Sequence, residues 1–177
     1  MFGFYEPDCD CPMSSDMSNP VYGAQKWNEM LAPLAKKGTV LGSPPMCKQS
    51  AEDWLTPFKA AGLDADWDVT SIHVNVADLA GVKKDVEHYA STYGKPIWVS
   101  EFACVHAGNG FFNPCTDQKE IDHFINTVVP WLEANETVVA YGASNGEGLG
   151  DTWPLFNGGA LTHTGTTYLN ALKNLKK

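Results

Sequence analysis

The feature that most constrains this chain is a strict alternation of short apolar runs with longer stretches of helical period. Apolar runs fall at 1–6 (MFGFYE), 39–44 (TVLGSP), 68–75 (DVTSIHVN), 96–101 (PIWVSE) and 137–144 (TVVAYGAS). A run that is apolar on both faces reads as a strand covered on both sides, which is the habit of parallel sheets. Parallel neighbours need a crossover, and the segments between the runs have the period to supply one. In 19–38, Trp27, Met30, Leu31 and Leu34 recur at helical spacing, with Asn19 as cap, Pro20 at the first position and Gly38 past the end. The stretch 50–62 reads as a short helix with Ser50 as cap and Asp53 in the capping box. Helices are also predicted over 78–94, 116–134 and 165–177. The fold class is therefore α/β, in five parallel βα units within one domain, 1–177. Five units make either an open doubly wound sheet or part of a (β/α)8 barrel, which takes ~250 residues. No glycine-rich phosphate loop follows the first run, which argues against dinucleotide binding.

Composition narrows the partners. The net charge of −9 disfavours nucleic acid and anionic membrane surfaces. No apolar run is long enough to span a bilayer. The chain opens without a basic, apolar leader. Even so, it carries five cysteines, six tryptophans and an N-glycosylation sequon at Asn135, which suit a secreted protein. Met1 is therefore not expected to be the natural start. No His and Cys share zinc-ligand spacing, and Cys9 and Cys11 form only a lone C-x-C. Disulfides are expected rather than a metal, and no cofactor is expected.

Function in parallel α/β sheets sits at the C-terminal strand ends. Here those ends carry Glu6, Ser43, His73 with Asn75, Glu101, and Ser144 with Asn145. The stretch GKPIWVSEFAC raises the sharpest question, because an apolar strand stops on Glu101. Two glutamates, each ending an apolar strand, are the pair that glycoside hydrolysis requires, one as acid and one as nucleophile or base. His73 alone reads as readily as a satisfied rim histidine. Trp98 is expected to point outward beneath a helix, if Glu101 shares the inward parity of Ile97 and Val99. Trp153, in a glycine-rich segment after the last strand, is the candidate for stacking on a sugar; the alternative is a ring that closes over the top.

The motifs GFYEPD, LGSPPMCKQ, IHVN and GKPIWVSEFAC, with the spacing between them, resemble fungal members of glycoside hydrolase family 128. The resemblance runs from Met1 to the closing helix. It implies a β-1,3-glucanase on a (β/α)8 barrel of clan A, in which these five units stand for strands four to eight. It implies Glu6 as general acid/base, Glu101 as nucleophile, and retention of configuration. Tyr5 stands where the clan usually has Asn, and Asn75 where it often has Tyr; with His73 and Trp153 they are the expected substrate-binding residues. β-1,3-Glucan is the implied partner, and secretion or the cell wall the implied location of the full-length form. Open sheet edges would allow self-association. Cys104 is expected to pair with Cys115, and Cys9 with Cys47, leaving Cys11 spare; Cys11–Cys47 is the alternative. The rival to hydrolysis is a non-catalytic β-1,3-glucan-binding protein or an inactive homologue.

Overall fold

The computed structural model describes residues 1–47, 53–108, 111–145 and 148–175. It is an α/β structure with six helices and six strands among the described residues. They gather in two compact units, Met1–His73 with Tyr89–Trp98, and Val74–His88 with Val99–Lys177.

In the first unit, parallel bridges join Phe2 to Gly42 and Gly42 to Val69. Backbone bonds continue the ladder, Gly3 N to Gly42 O at 3.0 Å, Ser43 N to Val69 O at 3.0 Å and Thr70 N to Pro96 O at 2.8 Å. The runs expected as full strands at 1–6 and 39–44 are reduced to these bridges. Pro7, Pro44 and Pro45 have no N–H to offer a neighbour, and Glu6 turns the chain at φ 45°. Gly42 is required where it stands, since a Cβ there would overlap the Phe2 ring.

Helix α1 (Pro20–Met30) starts as the sequence predicts, with the Asn19 side chain accepting from Val21 N and Tyr22 N. The single predicted helix then breaks at Leu31, and α2 (Ala32–Ala35) follows. Pro33 explains the break, because a proline inside a helix deletes a backbone bond and clashes with the preceding turn. Helix α3 (Leu55–Ala60) is shorter than predicted. Its N-cap is Trp54 without a side-chain cap, so Asp53 does not serve as expected; Ser50 lies outside the described residues. The core here is aromatic. Phe58 stacks on Trp54 and Trp67 and meets Trp27 edge-on. Each of the three indoles finds an acceptor, Trp27 at Ala65 O, Trp54 at Met17 O and Trp67 at Thr70 Oγ1, as buried Trp N–H groups require.

One sheet takes β1 (Thr70–Val76), β2 (Ile97–Gly108) and β3 (Phe111–Pro114) in that order, with β4 (Val138–Ala143) also on β2. Between β1 and β2 runs α4 (Leu79–Tyr93), where Asp78 accepts from Gly81 N at 2.7 Å. β2 extends past the predicted end and folds back on β3 as an antiparallel hairpin, Val105 opposite Pro114. The Cys104–Cys115 disulfide clamps that hairpin, as expected.

In the second unit, α5 (Gln118–Ala134) buries Ile121, Phe124, Ile125, Val128, Val129 and Leu132. It packs on α6 (His163–Lys173), capped by Thr162. Asp122 joins the two helices, accepting from Gln118 Nε2 at 3.0 Å and from Thr167 Oγ1 at 2.8 Å. A small hairpin of β5 (Phe156–Asn157) and β6 (Ala160–Leu161) turns on Gly158 and Gly159, both at positive φ. Two such residues are what a tight hairpin turn needs.

Candidate functional site

The first unit builds one polar cluster. Glu6 follows the first bridge, and its N–H is held by Pro45 O at 3.1 Å. Its carboxylate Oε1 lies 2.7 Å from His73 Nδ1 on β1. The His73 side chain is 1% exposed and that of Glu6 14%. Water therefore reaches the pair from the Glu6 side only. Tyr5 lies beside it, 39% exposed, with its ring centroid 5.1 Å from that of His73. A half-exposed phenol next to a carboxylate offers a flat apolar face and a polar tip, the combination that suits a sugar ring. Asn75, two residues beyond His73 on β1, is half-buried and belongs to the second unit.

The remaining oxygen of Glu6 faces sulfur. Cys11 Sγ lies 3.5 Å from Oε2. The structure joins Cys9 to Cys11, where the sequence reading paired Cys9 with Cys47 and left Cys11 spare. The tight turn after Glu6 brings the two sulfurs of the C-x-C together, a local closure that needs no other segment. Cys47 nonetheless approaches both.

The second unit builds the other cluster. Glu101 Oε2 accepts from Ser144 Oγ at 2.7 Å. Ser144 is fixed by its own backbone: its N–H donates to Phe102 O at 2.9 Å, and its carbonyl accepts from Trp153 Nε1 at 2.8 Å. Trp153 is fully buried, its ring edge-on to Phe102 and Phe124. This overturns its assignment as a sugar-stacking residue, since a ring with no exposed face cannot cover a ligand. Its glycine-rich surroundings read as an open loop, but Asn145 Oδ1 accepts from Leu155 N and Thr164 Oγ1 donates to Thr152 O, folding the segment inward.

The expectation for Trp98 holds in part. Ile97 and Val99 are fully buried and Trp98 between them is 37% exposed, the alternation a two-residue period gives, but Trp98 meets Phe2 edge-on at 4.8 Å rather than lying under a helix. Phe102 packs against Phe124 and Tyr168, and from there the alternation ends, since Phe102, Ala103, Cys104 and Val105 are all fully buried. Sequence reasoning also gave Ser144 no role. Its position at the end of the last strand was the available signal.

Two carboxylates, one following the first bridge and one within β2, each held by a hydrogen-bonding side chain and the first with an exposed phenol beside it, are groups that carbohydrate-active α/β proteins present. The chain belongs to the family of the glycosyl hydrolase catalytic core, matched over residues 1–168, and within it to glycoside hydrolase family 128. It is similar to an oligosaccharide-binding protein of that family, subgroup VII, from Trichoderma gamsii, with 46% identity and a TM-score of 0.93 over 97% of this chain and 67% of the other. A subgroup VII oligosaccharide-binding protein from Cryptococcus neoformans is 45% identical, with a TM-score of 0.91 and the same coverage. A subgroup II endo-β-1,3-glucanase from Pseudomonas viridiflava is 26% identical, with a TM-score of 0.74 over 99% of this chain and 69% of that one. Alkali-sensitive linkage protein 1 of Schizosaccharomyces pombe (strain 972 / ATCC 24843) is 28% identical over 181 residues, 96% of this chain. The chain spans about a third of that relative's length (32%).

Proposed function

We propose that this chain binds oligosaccharides of β-1,3-glucan, with Tyr5 as the platform for a sugar ring and Glu6 as an acceptor for sugar hydroxyls. The observation that carries this reading is the grouping of Tyr5, Glu6 and His73, in which an exposed ring borders a carboxylate already held by a buried histidine. A general acid must turn one oxygen toward the leaving group. The Glu6 oxygen turned away from His73 faces a disulfide sulfur with no proton to give, which leaves it to accept from a sugar hydroxyl. The resemblance to the two subgroup VII oligosaccharide-binding proteins supports binding, and the bacterial glucanase supports β-1,3-glucan as the ligand class. We also read the chain as five of the eight βα units of a (β/α)8 barrel, and the full-length protein as acting at the cell wall, where such glucans lie.

The second reading is retaining hydrolysis, with Glu6 as acid/base and Glu101 as nucleophile. It is favoured by the family's hydrolase core and by the two glutamates that the sequence sets at the ends of apolar runs. It requires the carboxyl groups ~5–5.5 Å apart across one glycosidic bond. Titration calorimetry with laminarihexaose, beside a long incubation scored for new reducing ends, separates the readings. Binding lost in Tyr5→Ala with no reducing ends released is the expected result. Release that disappears in Glu101→Gln would move the assignment to the hydrolase, and absence of binding by the folded chain would remove both.

A further inference from the structure

Three cysteines and a glutamate converge in the first unit. A carboxylate oxygen of Glu6 and the Sγ atoms of Cys9, Cys11 and Cys47 all lie within 4.8 Å of one another, with Cys11 Sγ 3.5 Å from Oε2. Spacing along the chain cannot show this, because Cys47 arrives from a segment 36 residues beyond Cys11. The positions are set by the backbone as well as by sulfur. Cys47 N donates to Asp8 Oδ1 at 2.9 Å, Glu6 N to Pro45 O at 3.1 Å, and Ser14 Oγ to Cys9 O at 2.8 Å. These bonds hold the two segments together whether or not Cys9 and Cys11 are joined.

We propose that the reduced chain binds one thiophilic divalent cation of the zinc type, through the thiolates of Cys9, Cys11 and Cys47 and through Glu6 Oε2. Three sulfurs and one oxygen form a tetrahedral donor set. With metal–sulfur bonds of about 2.3 Å, neighbouring sulfurs in a tetrahedron lie about 3.8 Å apart, which a cluster already confined to 4.8 Å meets with small movements. The other carboxylate oxygen is held by His73 Nδ1 at 2.7 Å, so His73 is the outer partner that orients the ligating carboxylate. The site is gated by redox chemistry. A dithiol reductant supplies two electrons and two protons to the Cys9–Cys11 bond and becomes a disulfide itself. The cation then displaces one proton from each of the three thiols. Reoxidation to the disulfide, with two electrons passing to an oxidised dithiol, releases the cation. Because Glu6 belongs to both, a bound cation competes with any sugar for that carboxylate.

The test uses the full chain, reduced with a dithiol under argon and desalted, then titrated with Co2+ and displaced by Zn2+. The expected result is one equivalent bound, with the visible absorption bands of tetrahedral thiolate-ligated cobalt. The oxidised chain shows none of it. Cys47→Ser abolishes the bands, and Glu6→Gln weakens binding at least tenfold. Circular dichroism of each variant guards against misfolding, and the comparison of oxidised with reduced wild type needs no variant at all. Bands of equal strength in the oxidised chain, bands that persist in folded Cys47→Ser, or no bands in the reduced wild type would each overturn the proposal. The readout is independent of glucan binding, so neither reading's failure is mistaken for the other's.

Discussion

Replacing Trp153 by phenylalanine separates a ring that positions the site from a ring that touches sugar. The substitution deletes the Nε1–H that donates to Ser144 O at 2.8 Å in a place closed to water. A buried carbonyl that loses its donor costs about 1–3 kcal/mol. The smaller ring also opens a void beside Phe102 and Phe124, which adds about 1 kcal/mol. The expected loss is about 2–4 kcal/mol, read as a lower urea midpoint at unchanged slope. Binding should respond differently. Ser144 keeps its N–H bond to Phe102 O and its hydroxyl bond to Glu101, so laminarihexaose affinity is expected to fall by less than about tenfold, ~1.4 kcal/mol. Tyr5→Ala should show the reverse, weak binding with little change in the midpoint. A Trp153→Phe chain of wild-type stability that no longer binds would refute the argument, because it would place the indole on the ligand.

Two further outcomes follow from single side chains. Burial pushes Asp85 up to about 6, against the opposing pull of Lys84 and His88, and among the described residues its Oδ2 has no hydrogen-bond partner. A carboxyl raised in the folded state contributes stability below the unfolded value of 3.8 and loses it as pH rises through about 6. The full shift corresponds to ~3 kcal/mol, and partial exposure reduces this to about 1–2 kcal/mol. Asp85→Asn should therefore stabilise the chain at pH 7.5 and not at pH 3.5, checked by paired urea titrations; an equal effect at both would count against burial as the cause. The Cys104–Cys115 disulfide closes a loop with a sequence separation of 11, so Cys104→Ser with Cys115→Ser should cost a little under ~3 kcal/mol. A midpoint unmoved by the double change would show that the β2–β3 hairpin holds without it.

The parts of the fold that were legible in the sequence are those that local chemistry decides. Asn19 before Pro20 announces a helix start because a side-chain oxygen must meet the first free N–H groups. The closing helix begins two residues before the expected 165, at His163, because Thr162 caps it through Gly165 N. The Asn157-Gly158-Gly159 hairpin signal was present and went unread as a turn. What local chemistry does not decide was read less well. Trp153 sits among glycines that suggest exposure, yet long-range bonds from Asn145 and Thr164 bury it. The two-residue period that sets Trp98 opposite Ile97 and Val99 ends at Phe102, which opens a run of four fully buried residues, Phe102 to Val105.

The strand-end argument selected Glu6 and Glu101, but it could not supply their partners. His73 is 67 residues from Glu6, and Ser144 is 43 from Glu101; only pairing across segments brings them together. Partners decide what a carboxylate can do. His73 Nδ1 orients Glu6 through Oε1, while Oε2 faces the Cys11 sulfur, which has no proton to donate while it is joined to Cys9. A sugar hydroxyl can bond to Oε2 without any change in the His73 contact. The same contact makes Glu6 an oriented ligand once the sulfurs are reduced. One glutamate can therefore face a sugar in the oxidised chain and a metal in the reduced one, and the state of Cys9 and Cys11 selects which.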